Sequence, residues 1–101
     1  MIEYQQAQAV PKETEVTVLS ITNSGEDKYI SSIGVSGSSP AEWAIYRDMG
    51  IIAKRKLTVP KPSLTIDMYK LKFNAGSTLE IKVVHFENNI QSFDAEVHIN
   101  E

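Results

Sequence analysis

The clearest pattern in this sequence is an alternation of apolar and polar residues between Thr78 and Ile99. Side chains of a strand point alternately to opposite faces, so a period of two predicts strands that each bury one face. The run Glu87-Asn88-Asn89 interrupts the alternation and is typical of a turn. We therefore expect a β-hairpin at the centre of an all-β domain. The residues predicted to face the core are Leu79, Ile81, Val83 and His85, followed by Phe93, Ala95, Val97 and Ile99.

Three earlier runs are also typical of strands and are separated by turn-forming residues. Residues 14–22 are dense in β-branched side chains, and their apolar parity shifts between Val18 and Leu19. A β-bulge would explain that shift, as would burial of both faces. Tyr29 to Ser36 predicts a second strand, and Leu64 to Phe73 predicts a third that alternates clearly at its start.

Residues 39–50 fit two structures. A serine and a proline at the start and a glycine at the end would suit a helix, and a glutamate three residues after the serine would complete a capping box. The aromatic and apolar residues also alternate, as in a strand. The next run, 51–59, could pair with such a strand through a turn at Asp48-Met49-Gly50. We predict a strand, because the rest of the chain is β and a lone helix would need its own packing surface.

These runs amount to about eight short antiparallel strands with a turn roughly every ten residues, a pattern typical of a small β-sandwich and most simply a jelly roll. The chain has 101 residues, which is the size of one domain. We assign residues 14–101 to that domain. Residues 1–13 are polar, and we assign them to an N-terminal arm.

The arm could be mobile, form an edge strand, order only against a partner, or form a short helix. If it orders against a partner, its contacts would come from its aromatic and amide side chains. The candidate partner-binding residues there are Tyr4, Gln5, Gln6 and Gln8.

Composition narrows the function. The net charge is −3, which argues against a nucleic-acid or anionic-lipid partner, and no apolar run is long enough for a membrane helix. The first residues lack a basic start and an apolar segment, so we expect no secretory signal and synthesis in the cytoplasm. The chain has no cysteine, which excludes thiolate catalysis and Cys-zinc sites.

Catalytic and metal-binding patterns are weak. Asp94, Glu96 and His98 form an alternating row that could attract a divalent ion, but a solvated polar face is the commoner explanation. His85 shares its face with apolar residues and is best explained as a hydrogen-bonded residue at the edge of the core. Phosphate-loop, dinucleotide and EF-hand patterns are absent. We predict no enzyme activity, no cofactor and no metal.

Two groups of side chains suggest binding. Lys54, Arg55 and Lys56 form the only basic run, which could either dock an acidic partner or guard a sheet edge against aggregation. Tyr46 and Tyr69 could stack on the apolar faces of sugars, whereas Trp43 is better explained as a core residue.

Seven stretches follow one another in a recognisable order. They are Gly34-Val35-Ser36-Gly37, Trp43-Ala44-Ile45-Tyr46-Arg47-Asp48, Ile52-Ala53-Lys54-Arg55, Leu64-Thr65-Ile66-Asp67, Asn74-Ala75-Gly76-Ser77-Thr78-Leu79, Val83-Val84-His85-Phe86 and Phe93-Asp94-Ala95-Glu96-Val97. Over residues 14–100 this pattern resembles small β-sandwich proteins found among the virion structural proteins of tailed bacteriophages. In those proteins the strand after the glycine-serine loop usually ends in a tight Asp-Gly or Asn-Gly turn. Here Asp48-Met49-Gly50 is one residue longer.

The resemblance implies a non-enzymatic virion subunit that decorates or cements the capsid, often as a homotrimer bound to the major capsid protein. It also implies an alternative role, in which the protein is attached to the tail or to a fibre of the virion. A carbohydrate-binding module for host recognition is the further alternative, suggested by the exposed aromatic residues.

Overall fold

The computed structural model describes residues 2–57 and 64–100, and at 2–9, 57, 64, 65, 69 and 100 it describes the backbone alone. This part of the chain consists of strands joined by turns and loops. The eight strands are β1 (Ile2–Val10), β2 (Val16–Thr22), β3 (Lys28–Gly37), β4 (Ala41–Arg47), β5 (Gly50–Leu57), β6 (Leu64–Phe73), β7 (Thr78–Val84) and β8 (Gln91–Asn100). The predicted all-β class is confirmed.

The strands form two four-stranded sheets, in the orders β1-β8-β3-β6 and β2-β7-β4-β5, and all neighbouring strands are antiparallel. The pairing is nested: β1 pairs with β8, β2 with β7, β3 with β6 and β4 with β5. Strands 1–4 therefore run antiparallel to strands 8–5 as one long ribbon. Such a ribbon, wrapped into two packed sheets, is a jelly roll. The predicted small β-sandwich of jelly-roll type is therefore confirmed.

The core lies between the sheets and is built from the inward residues of each alternating strand. Trp43 from one sheet meets Phe93 from the other edge to face, with ring centroids 5.7 Å apart. Phe93 lies directly opposite Gly37, and a Cβ at Gly37 would overlap the Phe93 ring. The glycine therefore lets an aromatic ring pack against bare backbone, as aromatic residues often do beside strand glycines.

The predicted hairpin between Thr78 and Ile99 is wrong. Both of its strands exist and bury the predicted faces, but β7 belongs to one sheet and β8 to the other. The loop 85–90 crosses the sandwich instead of closing a hairpin. Six residues are more than most hairpin loops use, and inward alternation is the same whether two strands pair in one sheet or face each other across the core.

The first residues form an edge strand, which is one of the structures considered for the N-terminal arm. β1 pairs with β8 without interruption from Ile2 opposite Ile99 to Val10 opposite Gln91. Val10 is fully buried in the core. Strand β1 is therefore an integral part of its sheet.

The predicted irregularity in β2 is a β-bulge. The register with β7 shifts between Thr17 and Leu19, which lets both Val18 and Leu19 be buried. Strand β3 covers the run predicted from Tyr29 to Ser36, and Ile33 and Val35 are buried on its inward face. A second bulge, at Ser31, was not predicted.

Residues 39–50 form a strand and a turn, so the strand prediction is confirmed over the helix. Arg47 pairs with Gly50, which leaves a two-residue turn at Asp48 and Met49. Both have positive φ, 52° and 71°, the conformation of a type I′ turn. The Asp48 carboxylate accepts hydrogen bonds from the Ser77 hydroxyl (3.0 Å) and from the Thr78 backbone N–H (2.9 Å). These hydrogen bonds stabilise aspartate at the first turn position. Met49, at the second turn position, is 89% exposed and makes no comparable hydrogen bond with its side chain.

Replacing Met49 with glycine should stabilise the protein by about 0.5–1 kcal/mol, because glycine adopts this φ without steric cost. For a domain of this size such a gain raises Tm by roughly 2–8 °C. Met49→Ala is the matched control, since alanine keeps the strain and should give no gain. Thermal unfolding of the three proteins measures the difference, and equal Tm values for the glycine and alanine variants would contradict the account.

A buried histidine secures the crossing loop to β1. His85 has no exposed surface. Its Nδ1 accepts a hydrogen bond from the Glu87 N–H (3.1 Å), so the ring proton lies on Nε2, which donates to the Val10 carbonyl (2.6 Å). The His85 carbonyl also accepts from the Glu13 N–H (2.8 Å). The histidine was predicted at the edge of the core, and the structure places it fully inside with both ring nitrogens bonded.

Replacing His85 with alanine should cost about 2–4 kcal/mol of unfolding free energy, because it leaves a cavity and an unpaired Val10 carbonyl. His98→Ala is the control. His98 lies on the outer face of its sheet with its side chain 24% exposed and in contact with Glu96, and its loss should cost less than about 1 kcal/mol. Urea unfolding provides both values, and similar losses for the two variants would refute the role assigned to His85.

Candidate functional site

A concavity lies on the outer face of the sheet β2-β7-β4-β5. Strand β4 runs through the middle of this face. Trp43 and Ile45 point into the core, so Glu42, Ala44 and Tyr46 alternate with them on the outer face.

Cross-strand register explains why the face is hollow. Ala44 lies between Lys54 on β5 and Lys82 on β7, and the next outward position, Glu42, lies opposite Lys56. A methyl group between two long side chains leaves an open space. The resulting cleft has a volume of about 290 Å³. Its rim is formed by two carboxylates and three cations, which are Glu15, Glu42, Lys54, Arg55 and Lys56.

A second cleft of about 200 Å³ continues from the first. The two share Glu42 and Lys56, and the second extends to Pro40 and Phe86. Phe86 follows β7 and is 60% exposed, which is unusual for a phenylalanine. We call the two clefts together the outer groove. It combines charged hydrogen-bonding groups with an exposed aromatic ring at one end.

Of the two candidate sugar-stacking residues, Tyr46 borders this face and is half-buried. The Lys82 ammonium lies 4.8 Å from its ring centroid, so a cation covers one face of the ring. Its hydroxyl lies 3.5 Å from the Glu15 carboxylate. Tyr69 lies on β6 in the other sheet, and its side chain falls outside the described part of the structure. The fold therefore does not bring the two tyrosines together on one strand or one sheet.

The basic run lies on an edge strand. Lys54, Arg55 and Lys56 are all exposed on β5, the last strand of its sheet. Three consecutive charged residues can occupy this strand because it is an edge strand. Arg55 points to the opposite face from Lys54 and Lys56, and at the edge it too is in contact with solvent. Arg55 folds back to donate a hydrogen bond to the Lys54 carbonyl (2.7 Å). Lys54 and Lys56 border the outer groove on this edge.

The candidate residues of the N-terminal segment lie on a different edge. Tyr4, Gln5, Gln6 and Gln8 belong to β1, where Gln6 is opposite Ala95 of β8. Their side chains fall outside the described part of the structure. Strand β1 borders β2, whereas β5 is at the far end of the sheet that contains β2. The two groups predicted to bind a partner are thus on opposite edges of the sandwich.

The polar row on β8 lies on the outer surface, as its alternation predicts. His98 Nε2 is 3.3 Å from a Glu96 carboxylate oxygen, while Asp94 is exposed. Among the side chains that the structure describes, no group of three histidine or acidic residues is arranged to hold a metal ion. Trp43 is a core residue, as predicted, and is 1% exposed.

Sequence reasoning missed the outer groove. Glu42 and Ala44 lie in the segment 39–50 that fitted two structures, and Phe86 was named only within a stretch that carries the resemblance. One signal was available, since alternation around Trp43 puts the small residue Ala44 between Glu42 and Tyr46 on the outer face. The cross-strand neighbours that make the hollow depend on register, which the sequence does not give.

Comparisons of the chain with protein-family models, with curated proteins and with solved structures gave no significant match. In the described ranges, no helix has the length and apolar character needed to cross a membrane.

Proposed function

We propose that this protein is a non-enzymatic structural subunit of a tailed-phage virion, which decorates or cements the capsid by binding the major capsid protein. The observation that carries the proposal is the nested jelly-roll topology, a fold used repeatedly by viral capsid proteins. A fold alone is an analogy, because one fold supports many functions. The spaced sequence pattern that resembles phage β-sandwich proteins supports the same role.

The surface supports a docking function. The inward side chains of both sheets are used for the core, so a partner must be recognised by faces, loops and edges. The exposed Lys54, Arg55 and Lys56 form a cationic edge on a chain with a net charge of −3. A cationic edge suits an acidic shell surface, which it would find faster and hold in a fixed orientation. The subunit would be made in the host cytoplasm and join the particle as a homo-oligomer, with a trimer implied by the resemblance.

Co-sedimentation with empty capsids of the encoding phage tests the role directly. We expect the purified protein to pellet with capsids and to saturate at a fixed number of copies per particle, as repeated sites on a symmetric shell require. Mass spectrometry of purified virions should detect the chain in the same ratio. Its absence from virions, together with no capsid binding, would reject the proposal.

Charge reversal tests the basic edge. The double variant Lys54→Glu/Lys56→Glu should weaken capsid binding at least about tenfold and reduce its salt dependence. Lys70→Glu/Lys72→Glu is the matched control, since it reverses two exposed charges at the same spacing on another edge strand, β6. Equal weakening by the two pairs would indicate a general charge effect, not docking through β5.

A carbohydrate-binding module, on a tail fibre or acting alone, is the second candidate. The outer groove favours it, because an exposed aromatic ring beside charged hydrogen-bonding groups suits a sugar. On this candidate, Phe86→Ala should abolish binding on a glycan array. Ile90→Ala is the control, because Ile90 is exposed on the same loop but does not line the groove. Tyr46→Ala and Tyr69→Ala test the original pair, and unchanged binding in the Phe86, Tyr46 and Tyr69 variants would exclude these three sites.

A further inference from the structure

The sandwich has four edge strands, and three of them carry features that block pairing with another strand. These strands are β1 and β6 in one sheet, and β2 and β5 in the other. An exposed edge presents unpaired backbone N–H and C=O groups, so it is a ready template for another chain. Proteins usually prevent such pairing with bulges, edge lysines or prolines.

Three edges are blocked in these ways. Strand β2 has its bulge at Val18. Strand β5 has a register shift at the end near its turn, and it also carries the exposed lysines and arginine. Strand β6 is interrupted beside Lys70, which has a positive φ of 59°, and it also carries the exposed Lys72.

Strand β1 has none of these protections. Its nine residues, IEYQQAQAV, pair with β8 in unbroken register. They include no lysine, arginine or proline, and their single charge is Glu3. In the sheet order the other side of β1 pairs with no strand of the described chain. A long, regular and nearly neutral edge is the kind that pairs with another strand.

We propose that β1 is a self-association edge, at which a second copy of this chain adds its own β1 in antiparallel orientation. The two sheets then join across a two-fold axis into one continuous eight-stranded sheet. A second copy fits because an antiparallel edge is self-complementary: each copy offers the same donors and acceptors in reverse order. This inference concerns the chain alone and does not depend on a virion role, and it gives a two-fold dimer in place of the trimer that the resemblance implies.

The free part of β1 sets the register. Val10 is fully buried and its carbonyl accepts a hydrogen bond from His85, so Val10 is closed to a second copy. Antiparallel pairing of residues 3–9 with the same residues of a second copy places Gln6 opposite Gln6. Glu3 then faces Ala9, and no like charges lie opposite each other. Gln6 is therefore the residue on the two-fold axis.

Charge substitution at the axis tests the proposal. Sedimentation equilibrium of the wild type, from micromolar to millimolar concentration, should show a reversible doubling from 11.3 kDa. Gln6→Lys and Gln6→Glu should each stay monomeric over that range, since like charges would meet at the centre of the interface. An equimolar mixture of the two variants should restore the dimer, because the opposed residues then attract.

Ser20→Lys is the control, because it adds the same charge to the exposed position of another edge strand, β2, and should leave dimerisation unchanged. Amide exchange in the wild type offers an independent measurement that needs no variant. Protection of β1 should rise with protein concentration while that of β2 stays constant. A wild type that remains monomeric would overturn the proposal, as would a trimer that both Gln6 variants still form. Exchange in β1 that is independent of concentration would overturn it too.

Discussion

The chain must pass from one sheet to the other at six of its seven connections, and the sandwich depends on securing those crossings. Only β4 and β5 follow each other within one sheet. At one end Asn23, which is buried, donates to the carbonyls of Glu26 (2.8 Å) and Phe73 (2.9 Å), so it ties the β2–β3 loop to the end of β6. At the other end His85 ties the β7–β8 crossing to Val10. Two buried polar side chains thus hold the crossings that apolar packing alone would leave unspecified.

The strands and their inward faces could be predicted from the sequence, because alternation depends only on which side of a strand is buried. Leu79, Ile81 and Val83 are inward for that reason, and so are the alternate residues of β8. Pairing could not be predicted in the same way. An inward face is identical in a hairpin and in two strands facing across the core, so the predicted hairpin was wrong although both of its strands exist. Two signals against a hairpin were available. The loop is long for a hairpin, and His85 continues the inward-facing alternation of β7 beyond the end of the strand.

The surface was predicted less well than the core. The basic run could be found from sequence because it is local, and its exposure on β5 follows from its being an edge strand. The outer groove could not, because it depends on Ala44 lying between Lys54 and Lys82 from strands distant in sequence. The openness of β1 also needs the strand order. Its sequence shows no protective residues, but only the topology shows that the strand has a free edge.

The arrangement of the edges separates two kinds of contact. Strand β1 and the basic strand β5 lie on opposite sides of the sandwich, and the outer groove opens on the face that β5 borders. Two copies joined through β1 would therefore keep both basic edges and both grooves on the outside of the pair. Each subunit would bind a second copy of itself through backbone hydrogen bonds of β1. It would bind a different partner through the charged side chains of β5. A nearly neutral edge suits the first contact and a strongly charged edge the second, since like charges would oppose pairing of identical strands. The difference between the two edges gives this small domain a physical means of keeping self-association and partner binding apart.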